Sequence, residues 1–316
     1  MPQPIILSRR DYFSGPHAAV TVRRELRQPP MGQHRHEFFE IAVILSGTGI
    51  HVTGGFRHRL EAGDVLFLDR RRAHGYEETR SLNLLNIMVR DDVLSRIGRE
   101  LGKRPGFHEL FSLEPNPRRD GYNRRLRLAS SELEQIGEWA ARIEEEARAG
   151  TPRRSLRGGS LLQEAYLTLI IDVLSHKAGR RMASAASAPH APGRRAGPGL
   201  GRVLSWIETA LDRPLPVAEL AARAGMSVRT FHRAFRAATG QTPHAYLIAA
   251  RLTRAAEQLA HAQAGETVTA TALDCGFGDS NYFSRSFRRF AGMSPSAYRA
   301  ARQRGRGTIS RAQGPG

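Results

Sequence analysis

Cysteine is nearly absent from this chain: among 316 residues there is one, Cys275. A single thiol excludes a disulfide framework and a cysteine-based zinc site, and it fits a reducing cytoplasm. Lysine is almost missing too. Lys103 and Lys177 stand alone, so arginine supplies nearly all of the 48 basic residues. No window approaches the roughly 18–20 uninterrupted apolar residues of a membrane span. The start, MPQPIILSRRDYF, has only a short apolar run, Ile5 to Leu7, where a signal peptide needs a longer one. Acidic residues are in deficit, 30 against 48 basic, for a net charge of +18. So positive a field favours polyanions, nucleic acid above all and anionic membranes second. An arginine skew also follows in part from genomic base composition, so charge alone leaves the partner open.

At 40% hydrophobic and 25% charged, the chain reads as an ordinary globular protein long enough for two domains. Lys177 to Gly199 is rich in Ala, Gly, Pro and Ser and has no apolar period, which predicts a mobile linker over 177–198. Before it, short strands are expected at Phe38–Leu45, Gly49–Thr53, Phe56–Leu60, Val65–Leu68 and Leu82–Val89. Ser46-Gly47-Thr48-Gly49 would end the first, and Gly54-Gly55 would make a hairpin turn. Strands at this spacing predict a small barrel or jelly roll. Two helices follow. In 131–149 Leu133, Ile136, Ala140, Ile143 and Ala147 make a stripe that is core or a dimer seam; 160–176 is apolar on more than one face.

The C-terminal part repeats itself. Val217–Ala224 is a short amphipathic helix, Gly225-Met226 turns, and Ser227 caps a second helix, Val228–Thr239. Further on, Val268–Cys275 is again short, Gly276-Phe277-Gly278 turns, and Asp279 caps Ser280–Phe290. S-V-R-T-F-H-R-A-F-R aligns with D-S-N-Y-F-S-R-S-F-R, and each is followed by Gly, two residues and Pro. The spacing predicts two helix-turn-helix units joined by a long helix, His244–Ala262. Such a unit lays its second helix in the major groove. Phe231 and Phe235, then Phe283 and Phe287, would face each unit's own core. That turns Arg229, His232, Arg233 and Arg236 outward in the first copy, and Ser280, Asn281, Ser284, Arg285 and Arg288 in the second. Arginine can grip guanine with two hydrogen bonds and asparagine adenine. A single such pattern also occurs as plain packing in all-α proteins; two in tandem with a basic face point to DNA.

Cys275 to Arg299, C-G-F-G-D-S-N-Y-F-S-R-S-F-R-R-F-A-G-M-S-P-S-A-Y-R, resembles the signature of the AraC-type bacterial transcription regulators, over residues 199–299. The resemblance implies double-stranded promoter DNA and RNA polymerase as partners, a homodimer, and base contacts from Arg229, His232, Arg233, Ser280, Asn281, Ser284 and Arg285. Thr271 departs from the pattern, which has a large aliphatic residue before Ala272. The tail, 300–316, adds arginines without apolar period and is expected to be disordered, attracting phosphates without specificity.

The same family usually carries a cupin-like effector domain. The fold expected is therefore α+β: a cupin-like β-barrel with following helices over 1–176, then an all-α tandem helix-turn-helix. His34-Arg35-His36, Glu40 and Gly47 resemble a first cupin motif. Gly63, Asp69 and His74 resemble a second, with Asp69 where proline is usual. His34, His36, Glu40 and His74 have the chemistry of a metal set, and in an enzyme they would support an oxygenase or isomerase. In regulators of this type the arrangement serves a ligand pocket or structure, so no catalytic residue, cofactor or metal is expected. H-E-F-F-E-I, G-T-G-I-H-V and the run from His74 to Asn86 are similar to the L-rhamnose-responsive activators of the family. That likeness implies a sugar effector held by His34, His36, Glu40, His74 and Tyr76. His51 and His58 are expected to be exposed strand residues.

Overall fold

The computed structural model describes residues 4–13, 18–70, 72–113, 125–148, 161–187, 199–262 and 265–311. The chain divides into two compact units, Met1–Pro189 and His190–Gly316. Among the described residues no helix is long and apolar enough to cross a membrane.

The first unit is built on strands β1 Ile5–Leu7, β2 Val20–Glu25, β3 Met31–His36, β4 Phe39–Thr53, β5 Phe56–Leu60, β6 Asp64–Leu68, β7 His74–Val89 and β8 Arg125–Arg127. A single helical turn, α1 (Arg9–Tyr12), follows β1. The sheet runs β1-β3-β7-β4-β6-β8, with β2 added on β7 and β5 on β4. The first half of β4 lies between β6 and the end of β7, which β2 borders on its far side. The second half lies between β5 and the start of β7, which β3 borders. The expected barrel is thus a folded sheet of jelly-roll type whose described strands do not close into a ring.

The fold in that sheet is made where the sequence suggests a turn. Ser46-Gly47-Thr48-Gly49 does not separate two strands: β4 runs through it with register shifts between Ile44 and Ile50. Gly47 adopts φ +80°, and a Cβ there would stand 2.1 Å from the Ser81 carbonyl oxygen, so the bulge requires glycine. Opposite it, Glu78 and Ser81 take left-handed φ values of 49° and 47°. Gly54-Gly55 is the hairpin turn expected, closing on the Thr53–Phe56 pair.

Strand alternation sorts β4, β6 and β7 into two faces. Ile41, Val43, Val65, Phe67, Leu85 and Ile87 pack under helices α2 (Asp91–Leu101), α3 (Ser130–Arg148) and α4 (Leu161–Ser187). Ala42, Ile44, Leu66, Leu68, Leu84 and Tyr76 form a second core on the inner face. The α3 stripe is core, with Ile136, Ala140 and Ile143 buried in the first cluster. The fully buried Asp64 is clasped by Arg125 through two hydrogen bonds of 3.0 and 2.6 Å, tying β8 to β6.

The linker does not begin at residue 177, because α4 continues to Ser187. Ala178 is buried, the Lys177 ammonium reaches Glu132 at 2.6 Å, and Arg181 donates to the Arg125 carbonyl. Alanine and arginine are strong helix formers, so this segment extends a docked helix without an apolar period of its own. Residues 188–198 lie outside the described residues.

The second unit is all helix: α5 Leu200–Thr209, α6 Val217–Arg223, α7 Val228–Thr239, α8 Pro243–His261, α9 Val268–Asp274, α10 Ser280–Ala291 and α11 Pro295–Arg311. The tail does not lose structure at residue 300. The Ser294 hydroxyl accepts from the Ala297 amide, Tyr298 packs on Phe287, and the Arg299 guanidinium donates to the Glu266 carbonyl. A capped, anchored first turn propagates through an alanine- and arginine-rich stretch. Residues 312–316 lie outside the described residues.

Candidate functional site

In the second unit the two copies are built alike. The Ser227 hydroxyl accepts from the Thr230 amide at 3.3 Å, and the Asp279 carboxylate from the Asn281 and Tyr282 amides at 2.7 and 3.0 Å. Those bonds to Asp279 hold its carboxyl below the usual carboxylate range. Gly240 and Gly292 end the helices in the left-handed conformation. Phe231 and Phe235 are fully buried, as are Phe283 and Phe287, with ring centroids 5.3 and 5.6 Å apart. Tyr246 meets Phe235 edge-on, and Tyr298 meets Phe287 in the same way.

With the phenylalanines inward, the opposite faces of α7 and α10 are set. Arg229, His232, Arg233, Arg236, Ser280, Asn281, Arg285 and Arg288 are exposed, and Ser284 is half-buried. Arg289, which sequence reasoning left out, is exposed on the same helix. Thr271 is buried, and its hydroxyl donates to the Thr267 carbonyl at 3.3 Å, so the polar group at an aliphatic position is satisfied within α9.

Between the copies, Arg251 on α8 is buried and donates from Nε to the Leu211 carbonyl at 2.9 Å and from Nη2 to that of Arg213 at 2.6 Å. Gly276, in the second turn, lies directly on this guanidinium: a Cβ there would stand 2.8 Å from Arg251 Cζ. One side chain therefore locks the end of α5 to the turn of the second copy.

In the first unit the inner sheet face carries the polar cluster. His34, His36, Glu40, His74 and Tyr76 are all buried, none more than 6% exposed. His34 and His74 are register partners on β3 and β7, their rings 4.3 Å apart. His36 stacks on Phe38, and its Nδ1–H donates to the Phe38 carbonyl at 2.7 Å. That fixes the tautomer and leaves Nε2 as a lone pair, 3.5 Å from a Glu40 carboxylate oxygen. Glu40 sits between Leu68 and Met88 across the sheet, on the parity of Ala42 and Ile44. Burial raises its pKa to about 7, with the nearby Glu25 adding to the shift. Burial also lowers His36 to about 4 and His51 to about 3, and pushes His34 and His74 down. At neutral pH the imidazoles are therefore neutral and can accept a hydrogen bond or bind a cation.

The expected exposure of His51 and His58 is corrected here. His51 is not exposed: it is fully buried, 5.6 Å ring to ring from both His74 and Tyr76. His58, its cross-strand partner, is half-buried. The reason is the bulge at Gly47, which resets the in–out alternation before residue 51, so counting by twos from Phe38 fails there. Of the four residues with the chemistry of a metal set, three are grouped. The ligand atoms of His36, Glu40 and His74 lie within 4.8 Å of one another, without His34.

A helix-turn-helix domain family matches residues 220–301, and an AraC-like ligand binding domain family matches residues 19–168. The chain is similar to the HTH-type transcriptional activator RhaS of Escherichia fergusonii, 30% identical over 292 residues covering 92% of this chain and 96% of that one. It is similar to RhaS of Klebsiella pneumoniae at 31% over 297 residues, covering 94% and 98%. Among solved structures, the DNA-binding domain of AdpA in complex with a target DNA is 39% identical over 36% of this chain and 97% of that one, with a TM-score of 0.32.

Proposed function

The chain belongs to the AraC family of transcription regulators, and from that premise we propose that it is a cytoplasmic, sugar-responsive activator. It has a DNA-binding module and a ligand-binding domain, and it is not an enzyme. One observation carries the effector reading: four neutral imidazoles, a carboxyl and a phenol converge on an inner sheet face that is otherwise apolar. Such groups suit the hydroxyls of a small sugar. We assign His34, His36, Glu40, His74 and Tyr76 to effector contact, with His51 beside them. The likeness to the L-rhamnose-responsive activators makes that sugar the first to test.

In the DNA module, Arg229, His232, Arg233, Arg236, Ser280, Asn281, Ser284, Arg285 and Arg288 are assigned to promoter DNA. The α7 and α10 residues that precede the middle of each helix read bases, and the later arginines hold phosphates. Leu161, Leu162 and Leu169 are exposed apolar residues on α4, and they support a homodimer through that helix. Two protomers then engage two half-sites and recruit RNA polymerase. An effector shifts this assembly only by binding one conformation better than the other.

The test is thermal unfolding of the full chain against a panel of monosaccharides and deoxy sugars. A ligand that binds only the folded form raises the midpoint by mass action. L-rhamnose or a close relative is expected to raise it in the wild type and not in a chain carrying His34→Ala and His36→Ala. A panel without any shift overturns the sugar reading.

A further inference from the structure

The inner face holds a second capacity, independent of any sugar. His74 is 1% exposed, and both its ring nitrogens are buried without a hydrogen-bond partner; so is His36 Nε2. A buried polar atom left without a partner costs free energy, so a cluster of them calls for an occupant. The arrangement is specific about its sign. The Phe38 carbonyl takes the proton-bearing side of His36, so the atom that faces Glu40 is a lone pair. His36 Nε2 and a Glu40 carboxyl oxygen thus stand 3.5 Å apart, with His74 on the third side. A cation between them would give all three a partner. Two donors each about 2.1 Å from one tetrahedral ion stand about 3.4 Å apart, which is the separation these atoms have.

We propose that His36, Glu40 and His74 bind one divalent first-row transition-metal cation. Two imidazoles and one carboxylate favour Zn(II), Co(II), Ni(II) or Fe(II) over Mg(II) and Ca(II), which take oxygen donors. The bond from His36 Nδ1–H to the Phe38 carbonyl is the outer contact that orients a metal-binding imidazole. The three donors come from β3, β4 and β7, so bound metal would pin the β3–β4 bend onto β7. Three protein ligands leave a position for water or for an oxygen of another molecule.

The experiment uses the full chain, stripped with a chelator and titrated with Co(II) at pH 7.5. Expected is one Co(II) per chain, read by its visible ligand-field bands, displaced by Zn(II), with a raised unfolding midpoint. His74→Gln and Glu40→Gln should each weaken binding by at least about 100-fold, whereas His51→Gln, beside the site but outside the ligand set, should keep it. No ligand-field band in the wild type overturns the proposal. So does Co(II) binding unchanged in both His74→Gln and Glu40→Gln, which would place it on surface histidines. If a ligand variant fails to fold, the wild-type stoichiometry and the His51→Gln control still decide. Sugar enters none of these measurements, so failure of the sugar panel leaves this result standing, and the reverse.

Discussion

The two units carry their chemistry in opposite places. The DNA module keeps it on the outside: the phenylalanine pairs fill each helix-turn-helix and the polar face is what remains. The ligand-binding domain keeps it inside, where His36, Glu40, His51 and His74 lie among apolar strands. An outward face is forgiving, because each side chain there meets water and its neighbours matter little. An inward one is not: every polar atom needs a partner, so the fold and the chemistry are set together. Mutations in the first unit should therefore act through stability as well as binding, and mutations on the second unit's face through binding alone.

The largest effect is expected where the buried Asp64 and the partly exposed Arg125 staple the ligand-binding domain. Asp64→Ala leaves the Arg125 guanidinium without its bidentate partner at the β6–β8 edge. The Arg125 side chain keeps about 30% of its surface in water, so the loss is that of hydrogen bonds to a charged group, about 1.5–3 kcal/mol. Urea unfolding followed by Trp139 in a Trp206→Phe chain reads it, and a loss below about 1 kcal/mol would show that this edge is dispensable.

On the outward face, Arg233→Ala should cost about 1–3 kcal/mol of specific DNA binding and relax base preference at one position. Its unfolding midpoint should not move. A fluorescence anisotropy titration against operator and scrambled DNA separates the two. Equal losses on both sequences would make Arg233 a phosphate contact.

The smallest effect is a titration. His108 is buried, its Nδ1 against the Ser112 hydroxyl at 3.0 Å, and burial pushes its pKa down to about 4. A lowered pKa in the folded state means the unfolded chain binds the extra proton below 6.5. The stability concerned is complete above pH 6.5 and is lost as pH falls towards about 4. At pH 5.5 the loss is about 1.4 kcal/mol, one unit below the ordinary value. Glu40, raised to about 7, works the other way and gains on acidification. The comparison of wild type with His108→Gln isolates the one group: the variant's stability should fall less between pH 7 and 5.5. Equal falls would mean His108 is hydrated.

How much could be read from the sequence differed between the units for the same reason. The recognition helices were legible almost to the residue. A helix's period, a cap such as Ser227 and a left-handed glycine such as Gly240 are local signals within one or two turns. The paired strands were legible as stretches of apolar sequence, and Gly54-Gly55 as a turn. β1, β2, β3 and β8 were not, being short or polar strands defined by their partners. The extensions of α4 and α11 were hidden because polar, alanine-rich sequence reads alike whether it is docked or not.

By itself, the sequence determined the duplicated motif, its outward basic face, the absence of a disulfide scaffold and the residue types of the inner cluster. Only the tertiary structure decided which of those histidines meet. Gly47 could be a turn or a bulge, and its contact with Ser81 made it a bulge. That one choice turned His51 inward. It could not be read along the chain, because the register of β4 is set by β7, a strand distant in sequence.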